Sequence, residues 1–169
     1  MNNTMTDIIK SEYKLRVITE CLSRIKQCVQ SLTHEEIWHR QNENTNSIGN
    51  LVLHLSGNIR QYIVCGIGDT PDDRVRDKEF ARDRNESSAF ILDLLTKTLE
   101  ASNEVVQNLP EDSFTQPVTI QGFQHTTLSA IIHVIEHLSY HTGQITFYTK
   151  YIKNIDTAYY GGLDLNTTA

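Results

Sequence analysis

The sequence predicts an all-α protein, a four-helix bundle. Four stretches place apolar residues at steps of three and four, the spacing that lines one face of an amphipathic helix. Only residues 117–124 (PVTIQGFQ) alternate as strands do, and that stretch is long enough for no more than a small hairpin. Four long helices without a large sheet bury their apolar faces by packing against one another.

The first two helices are predicted from their apolar stripes and from the residues that begin them. Residues 6–32 form the first helix. Thr33 followed by Glu36 resembles a capping box, so a short helical turn is expected around Trp38. Ser47 can cap the second helix, which runs to about residue 65. The stripe of the second helix consists of Ile48, Leu51, Leu55, Ile59 and Tyr62.

A connection of about twenty residues separates the second helix from the third. Residues 66–86 mix both charge signs with few apolar residues, which predicts a mobile surface segment near one end of the bundle. Antiparallel neighbours need far fewer residues, so this segment can cross the bundle and leave helices two and three parallel. Residues 87–109 and 127–153 are the third and fourth helices. We expect the Gly-rich tail after residue 158 to be poorly ordered.

Composition and charge limit the class of protein. With 169 residues, 38% hydrophobic and 21% charged, the chain is expected to form a single domain, residues 1–169, with an ordered core over about residues 6–153. A net charge of −6 without a Lys/Arg run lacks the electrostatic footprint of a duplex-DNA binder, so no nucleic-acid partner is expected. No secretory signal or membrane-length apolar run is visible, so a cytoplasmic location is expected. Cys21, Cys28 and Cys65 lack CxxC spacing and are interpreted as buried, reduced thiols.

Three histidines predict a metal site. In HLSYHTGQI, His137 and His141 lie about 40° apart on one helical face, so both imidazoles can point at one ion. HxxxH alone is a weak signal, since most such pairs are surface polar residues. His54 (LVLHLSGN) lies beside the apolar face of the second helix and can join the pair across the bundle, although a solvated His54 is the simpler alternative. Three imidazoles would leave open coordination positions, as catalytic sites do.

The segments LVLHLSGN and HLSYHTGQI together resemble the paired motifs of the DinB-like superfamily, over nearly the whole chain. This resemblance implies a four-helix bundle in up-down-down-up order, a three-histidine divalent metal site and often a homodimer. It implies His54, His137 and His141 as ligands, and it leaves His133, one turn away, as the natural substitute. Gln144 and Asn58 occupy motif positions that indicate hydrogen bonding to ligands or within the bundle.

Three functions remain open at this point. The leading hypothesis is a divalent-metal-binding protein of unassigned activity, with Zn, Ni, Co and Fe(II) all compatible with three imidazoles and an open position. As an enzyme, it would use the ion to activate a bound water or a low-molecular-weight thiol, giving a hydrolase-like or thiol transferase or isomerase activity. A metal-free bundle that acts through protein contacts is the third possibility.

A homodimer is predicted from the side of the fourth helix opposite His137. Small and apolar residues continue along that side: Leu128, Ile131, Ile132, Ile135, Ser139, Thr142 and Thr146. A helix that is apolar on both faces has more to bury than one bundle seam provides. The alternative is that the turn near Trp38 or the tail covers this side within one chain.

Overall fold

The computed structural model describes residues 4–167, and most of these residues are helical. Within that range no helix combines the length and the apolar character needed to cross a bilayer. The first long stretch is α1 (Met5–Lys14), a π-helical segment (Leu15–Leu22) and α2 (Ser23–Ser31). The remaining helices are α3 (His34–Trp38), α4 (Ile48–Ile59) with a π-helical continuation (Arg60–Cys65), α5 (Ser88–Asn108) and α6 (Thr127–Lys153).

The helix starts follow the capping chemistry of the sequence. Thr33 and Glu36 form the reciprocal capping box that was predicted at the start of α3. Ser47 caps α4 by accepting from the Asn50 amide, and the Asn50 side chain completes the second half of that box. These bonds satisfy backbone groups that a helix end leaves open, and so they fix where α4 begins.

Helix α4 lies at the centre of the core. It packs against α5, α6 and the connection that follows it. Because three neighbours surround it, polar residues on its flank are buried together with its apolar stripe, His54 and Asn58 among them. The buried core also takes residues from the first helical stretch, α5 and α6. The three cysteines are buried and free, as predicted.

The connection between α4 and α5 differs from its prediction. Most of its residues are exposed, but a short 3₁₀ helix (Arg76–Phe80) folds back on α4. Glu79 on this turn is buried, and the side chain of Arg74 is only 5% exposed. The prediction of a wholly superficial segment is therefore wrong at these two residues, which form an ion pair against the helix.

A small hairpin precedes α6, as the alternation in residues 117–124 predicted. Strand β1 (Pro117–Ile120) pairs antiparallel with β2 (Phe123–Thr126), so the hairpin continues two residues beyond the predicted stretch. The turn residues Gln121 and Gly122 have φ of 54° and 80°. Two consecutive positive φ values match the tight turn whose twist suits a hairpin, and glycine adopts such values without strain.

The tail begins with ordered packing, contrary to its prediction. The Tyr159 hydroxyl lies 2.8 Å from Thr146 Oγ1 and 3.2 Å from Cys28 Sγ. The backbone carbonyl of Thr157, itself a buried residue, accepts a 2.8 Å bond from Gln27. Residues after Gly162 are exposed, in keeping with their composition, and residues 168 and 169 lie outside the described range.

The side of α6 that predicted a dimer is partly buried within the chain. Ile131 and Thr142 are buried, and Thr146 bonds to Tyr159. The first helical stretch packs against α6, and the start of the tail adds to the cover. The chain itself therefore covers part of this side, while Ile132 stays exposed, and the homodimer remains a prediction.

Candidate metal centre

Three histidine side chains converge between α4 and α6. His54 comes from α4, and His137 and His141 come from consecutive turns of α6. His137 Nε2 lies 3.2 Å from His54 Nε2 and 3.2 Å from His141 Nε2. The three prospective ligand atoms all lie within 4.8 Å of one another, so the cluster could hold a metal ion.

The ring orientations suit a common ligand. The His54 ring makes angles of 71° with His137 and 84° with His141, and the latter two rings lie at 80°. Imidazole nitrogens bound tetrahedrally to Zn²⁺ at about 2.0–2.1 Å are about 3.4 Å apart. The two 3.2 Å separations are close to that spacing, and three nitrogens leave a coordination position for a further ligand.

The second nitrogen of His54 is held by a carboxylate. Glu79 Oε2 lies 2.9 Å from His54 Nδ1, and Arg74 donates to both Glu79 oxygens at 2.7 and 2.9 Å. Burial disfavours the Glu79 carboxylate, but the bonds from Arg74 and His54 outweigh burial and lower the pKa of Glu79. An ionised carboxylate only accepts hydrogen bonds, so the proton of His54 is on Nδ1 and the lone pair on Nε2.

His141 is held in the same way by an amide. Its Nδ1 lies 2.7 Å from Gln144 Oε1, so Nδ1 donates and Nε2 keeps its lone pair. Burial lowers the pKa of His141 despite this bond. The predicted hydrogen-bonding role of Gln144 is therefore present. Asn58 is buried, and its Oδ1 has no hydrogen-bond partner within residues 4–167.

His137 completes the cluster without such support. Its Nδ1 is buried, and the described part of the chain offers it no hydrogen-bond partner. Burial, followed by the neighbouring His141 and His54, lowers the pKa of His137 to about 3. The ring is therefore neutral at physiological pH, which is the form that binds metal.

The other histidines stay outside the cluster. His133 stacks on Tyr62 with ring centroids 4.5 Å apart, and its centroid is 5.7 Å from that of His137. His34 and His39 are exposed, as connecting residues commonly are. His125 is half-buried beside Tyr62.

Sequence reasoning missed three residues of the centre, all in the connection between α4 and α5. Arg74 and Glu79 hold His54, and the Phe80 ring lies 4.8 Å from the His54 ring. No spacing rule links residues 74–80 to position 54, because the contact depends on how the connection folds back. The sequence offers one indication of a buried contact here: Arg74 and Glu79 lie near Phe80, in a segment with few other apolar residues.

A cavity of about 300 Å³ lies one helical turn from the centre. Ile48 and Leu51 of α4 line it on one side, and Gln144 and Phe147 of α6 on the other. Polar residues of the loop before α4 and Tyr148 of α6 complete the lining, and no charged residue lines the cavity within the described residues. Gln144 thus faces this cavity and also holds His141.

The sequence matches a known protein family along most of its length. The family model described as "Protein of unknown function (DUF1572)" matches residues 9–160. The chain belongs to the DUF1572 family. Because DUF1572 is a DinB-like family, the resemblance carried by the two histidine motifs is confirmed. No curated protein matches this DUF1572 sequence significantly.

Solved structures share the fold of this DUF1572 chain. A conserved protein from Enterococcus faecalis superposes with a TM-score of 0.71 at 12% identity, covering 91% of this chain and 100% of its own. A DinB-like protein from Bacillus cereus gives 0.66 at 19% identity, covering 90% and 95%. A DinB-like protein from Bacillus subtilis gives 0.64 at 13%, covering 88% and 94%. At these identities the likeness concerns the fold alone.

Proposed function

We propose that this DUF1572 protein binds one divalent metal ion through Nε2 of His54, His137 and His141. The observation that carries the proposal is the convergence of these three nitrogens, two of them with lone pairs fixed by Glu79 and Gln144. Three imidazole nitrogens that converge in this way form a donor set that suits Zn, Ni, Co or Fe(II).

Hydrogen bonding among the histidines alone does not satisfy the cluster. His54 and His141 both carry their proton on Nδ1, so neither Nε2 can donate. His137 can donate from Nε2 to one neighbour only, and the Nε2 lone pair of the other neighbour is then left without a donor. A cation at the point of convergence can instead accept a lone pair from each of the three nitrogens, whereas buried polar atoms without partners cost free energy.

Elemental analysis of purified protein tests the proposal. We expect about one divalent ion per chain. His54→Ala, His137→Ala and His141→Ala should each lose the metal while keeping the helical circular dichroism spectrum. His133→Ala is the matched control, since it removes an imidazole one turn away on the same helix. Metal retained by the first three variants and lost from the control would show that the ligand assignment is wrong.

A second candidate function is metal-dependent transfer or isomerisation with a low-molecular-weight thiol. The uncharged cavity beside Gln144 supports it, because it offers a small molecule an apolar wall near the centre. When bound, the ion would lower the pKa of a coordinated thiol or water. Turnover of thiols and electrophiles with and without metal tests this function. Leu51→Trp should block turnover by filling the cavity while metal content stays unchanged.

We also infer one domain with helices in up-down-down-up order. Contacts between side chains support the order. Lys10 donates to the Leu109 carbonyl and Tyr13 to Ser102, which favours opposite directions for the first stretch and α5. His54 lies near His141 while Tyr62 lies near His133, which favours opposite directions for α4 and α6. The long connection accommodates parallel α4 and α5. Chemical denaturation with a single transition seen by both fluorescence and circular dichroism would be expected.

A further inference from the structure

Within residues 4–167, Glu79 is the only acid that forms a hydrogen bond to the histidine cluster. It lies on the 3₁₀ turn of the connection, and its side chain is 10% exposed. Both of its oxygens are used, Oε2 by His54 Nδ1 and Arg74 Nη2, and Oε1 by Arg74 Nε. Arg74 also donates to Gln61 Oε1 of the α4 continuation at 2.8 Å. The carboxylate is therefore fixed from two directions.

We propose that Glu79 is a positioning residue of the metal centre, and that Arg74 acts through it. This inference rests on the proposed metal function. Glu79 keeps the proton of His54 on Nδ1 and turns the Nε2 lone pair toward His137 and His141. It also places a negative charge one imidazole away from a divalent cation, which raises the basicity of the ligand.

Helix α4 has a glycine where this carboxylate enters. A Cβ on Gly57 would lie on top of Glu79 Oε1 and 3.0 Å from Arg74 Nε. Gly57 is one turn from His54 on the same flank of α4. Any larger residue would push the Glu79–Arg74 pair off the helix. The absence of a side chain at position 57 is thus what lets the connection reach the back of His54.

Arg74 has two roles in this arrangement. It donates to both Glu79 oxygens, at 2.7 and 2.9 Å, and so places a positive charge beside the buried carboxylate. It also fixes the carboxylate in a bidentate geometry, which a lysine could not reproduce. Arg74 Nη2 lies 3.3 Å from His54 Nδ1, but a protonated Nδ1 accepts nothing. That contact reflects crowding around Glu79, and Arg74 therefore influences His54 through the carboxylate.

Metal affinity, measured by competition with a chromophoric chelator, tests the proposal. Glu79→Gln should weaken binding by about 10- to 100-fold, and Gly57→Ala should weaken it as well while every charge is retained. Glu86→Gln is the matched control, because Glu86 also pairs with an arginine (Arg84, 2.6 Å) in the same connection. Its affinity should equal that of the wild type.

The tautomer of His54 in metal-free protein gives a second readout, measured by ¹⁵N NMR of the imidazole nitrogens. The wild type and Glu86→Gln should show a protonated Nδ1, whereas Glu79→Gln and Gly57→Ala should show a mixture of tautomers. Wild-type affinity and an unchanged tautomer in both variants would overturn the proposal. A wild type that binds no metal would overturn the proposed function, and the tautomer result would still decide whether Glu79 positions His54.

Discussion

Within residues 4–167, His137 differs from the other two histidines because its second nitrogen has no partner. Glu79 holds His54 and Gln144 holds His141, whereas no acceptor in that range reaches the buried His137 Nδ1. Burial lowers the pKa of His137, and the neighbouring His141 and His54 rings lower it further. The neutral form of His137 is consequently favoured in the folded protein over a wide range of pH.

Metal-free protein should lose stability as the pH falls from 7 to 5. The pKa of His137 is about 3 when folded, against an ordinary value of 6.5, so the unfolded chain binds the additional proton in this window. Stability is complete above about pH 6.5 and declines toward pH 3. We expect a loss of about 1 to 2 kcal/mol between pH 7 and 5, measured by urea denaturation in the presence of a chelator.

Two variants refine this measurement. His137→Gln should flatten the pH dependence, because it removes the group with the most strongly lowered pKa in the cluster. His39→Gln removes an exposed histidine and should leave the dependence unchanged. A wild-type free energy of unfolding that does not change between pH 7 and 5 would contradict this account of His137.

The connection between α4 and α5 combines exposed chain with one buried contact. Arg76 and Arg82 are exposed, while Arg74 is held against α4 by Glu79 and Gln61. A surface segment with a single buried anchor opens locally more easily than a helix does. The anchor contacts His54, so a ligand that fixes His54 also stabilises the closed form of this segment.

Limited trypsin digestion tests this description of the connection. Cleavage should occur first after Arg76 or Arg82, with Arg74 cut later, and bound metal should slow all three cuts. Lys97 on the exposed surface of α5 serves as an internal control, because a stable helix resists cleavage even where its side chains are accessible. First cleavage within residues 127–153 or after Arg74 would contradict it.

How far the sequence predicts this protein depends on whether the relevant contact is local. The spacing of apolar residues, the capping residues Ser47 and Thr33, and the Gln-Gly step of the hairpin all act within a few residues, and the elements they predict are present. Predicting that His54 meets the HxxxH pair required two further arguments, the packing of helices in a bundle and the family motif. The Glu79 contact and the packing of Tyr159 depend on how irregular chain folds back, for which periodicity gives no rule.

For the whole molecule, a homodimer remains a prediction. The exposed surface that favours it differs from the side of α6 opposite His137. The outer side of α6 carries an exposed stripe of apolar and aromatic residues, with Tyr140, Phe147 and Tyr151 exposed by 61%, 73% and 68%. Gly143 lies in this stripe with open space around its Cβ position. Large exposed apolar stripes favour association, and a glycine permits close approach of a second helix.

Light scattering should give a mass of about twice 19.3 kDa at micromolar concentration. Phe147→Asp should produce a monomer, since it places a charge at the most exposed aromatic residue of α6. Phe90→Asp on α5 introduces the same charge at another exposed phenylalanine and should leave the dimer intact. A mass near 19.3 kDa that persists as the concentration rises would exclude the dimer.

X-ray absorption at the edge of the bound metal tests the central claim most directly, because it counts the ligands of the ion. For protein prepared without an added thiol, we predict three imidazole nitrogens, at about 2.0–2.1 Å for zinc, and only oxygen or nitrogen in any remaining position. His54→Ala, His137→Ala and His141→Ala should abolish this signal, and His133→Ala should leave it unchanged. A sulfur ligand, or a wild-type spectrum with fewer than three imidazoles, would contradict the assignment of the centre to His54, His137 and His141.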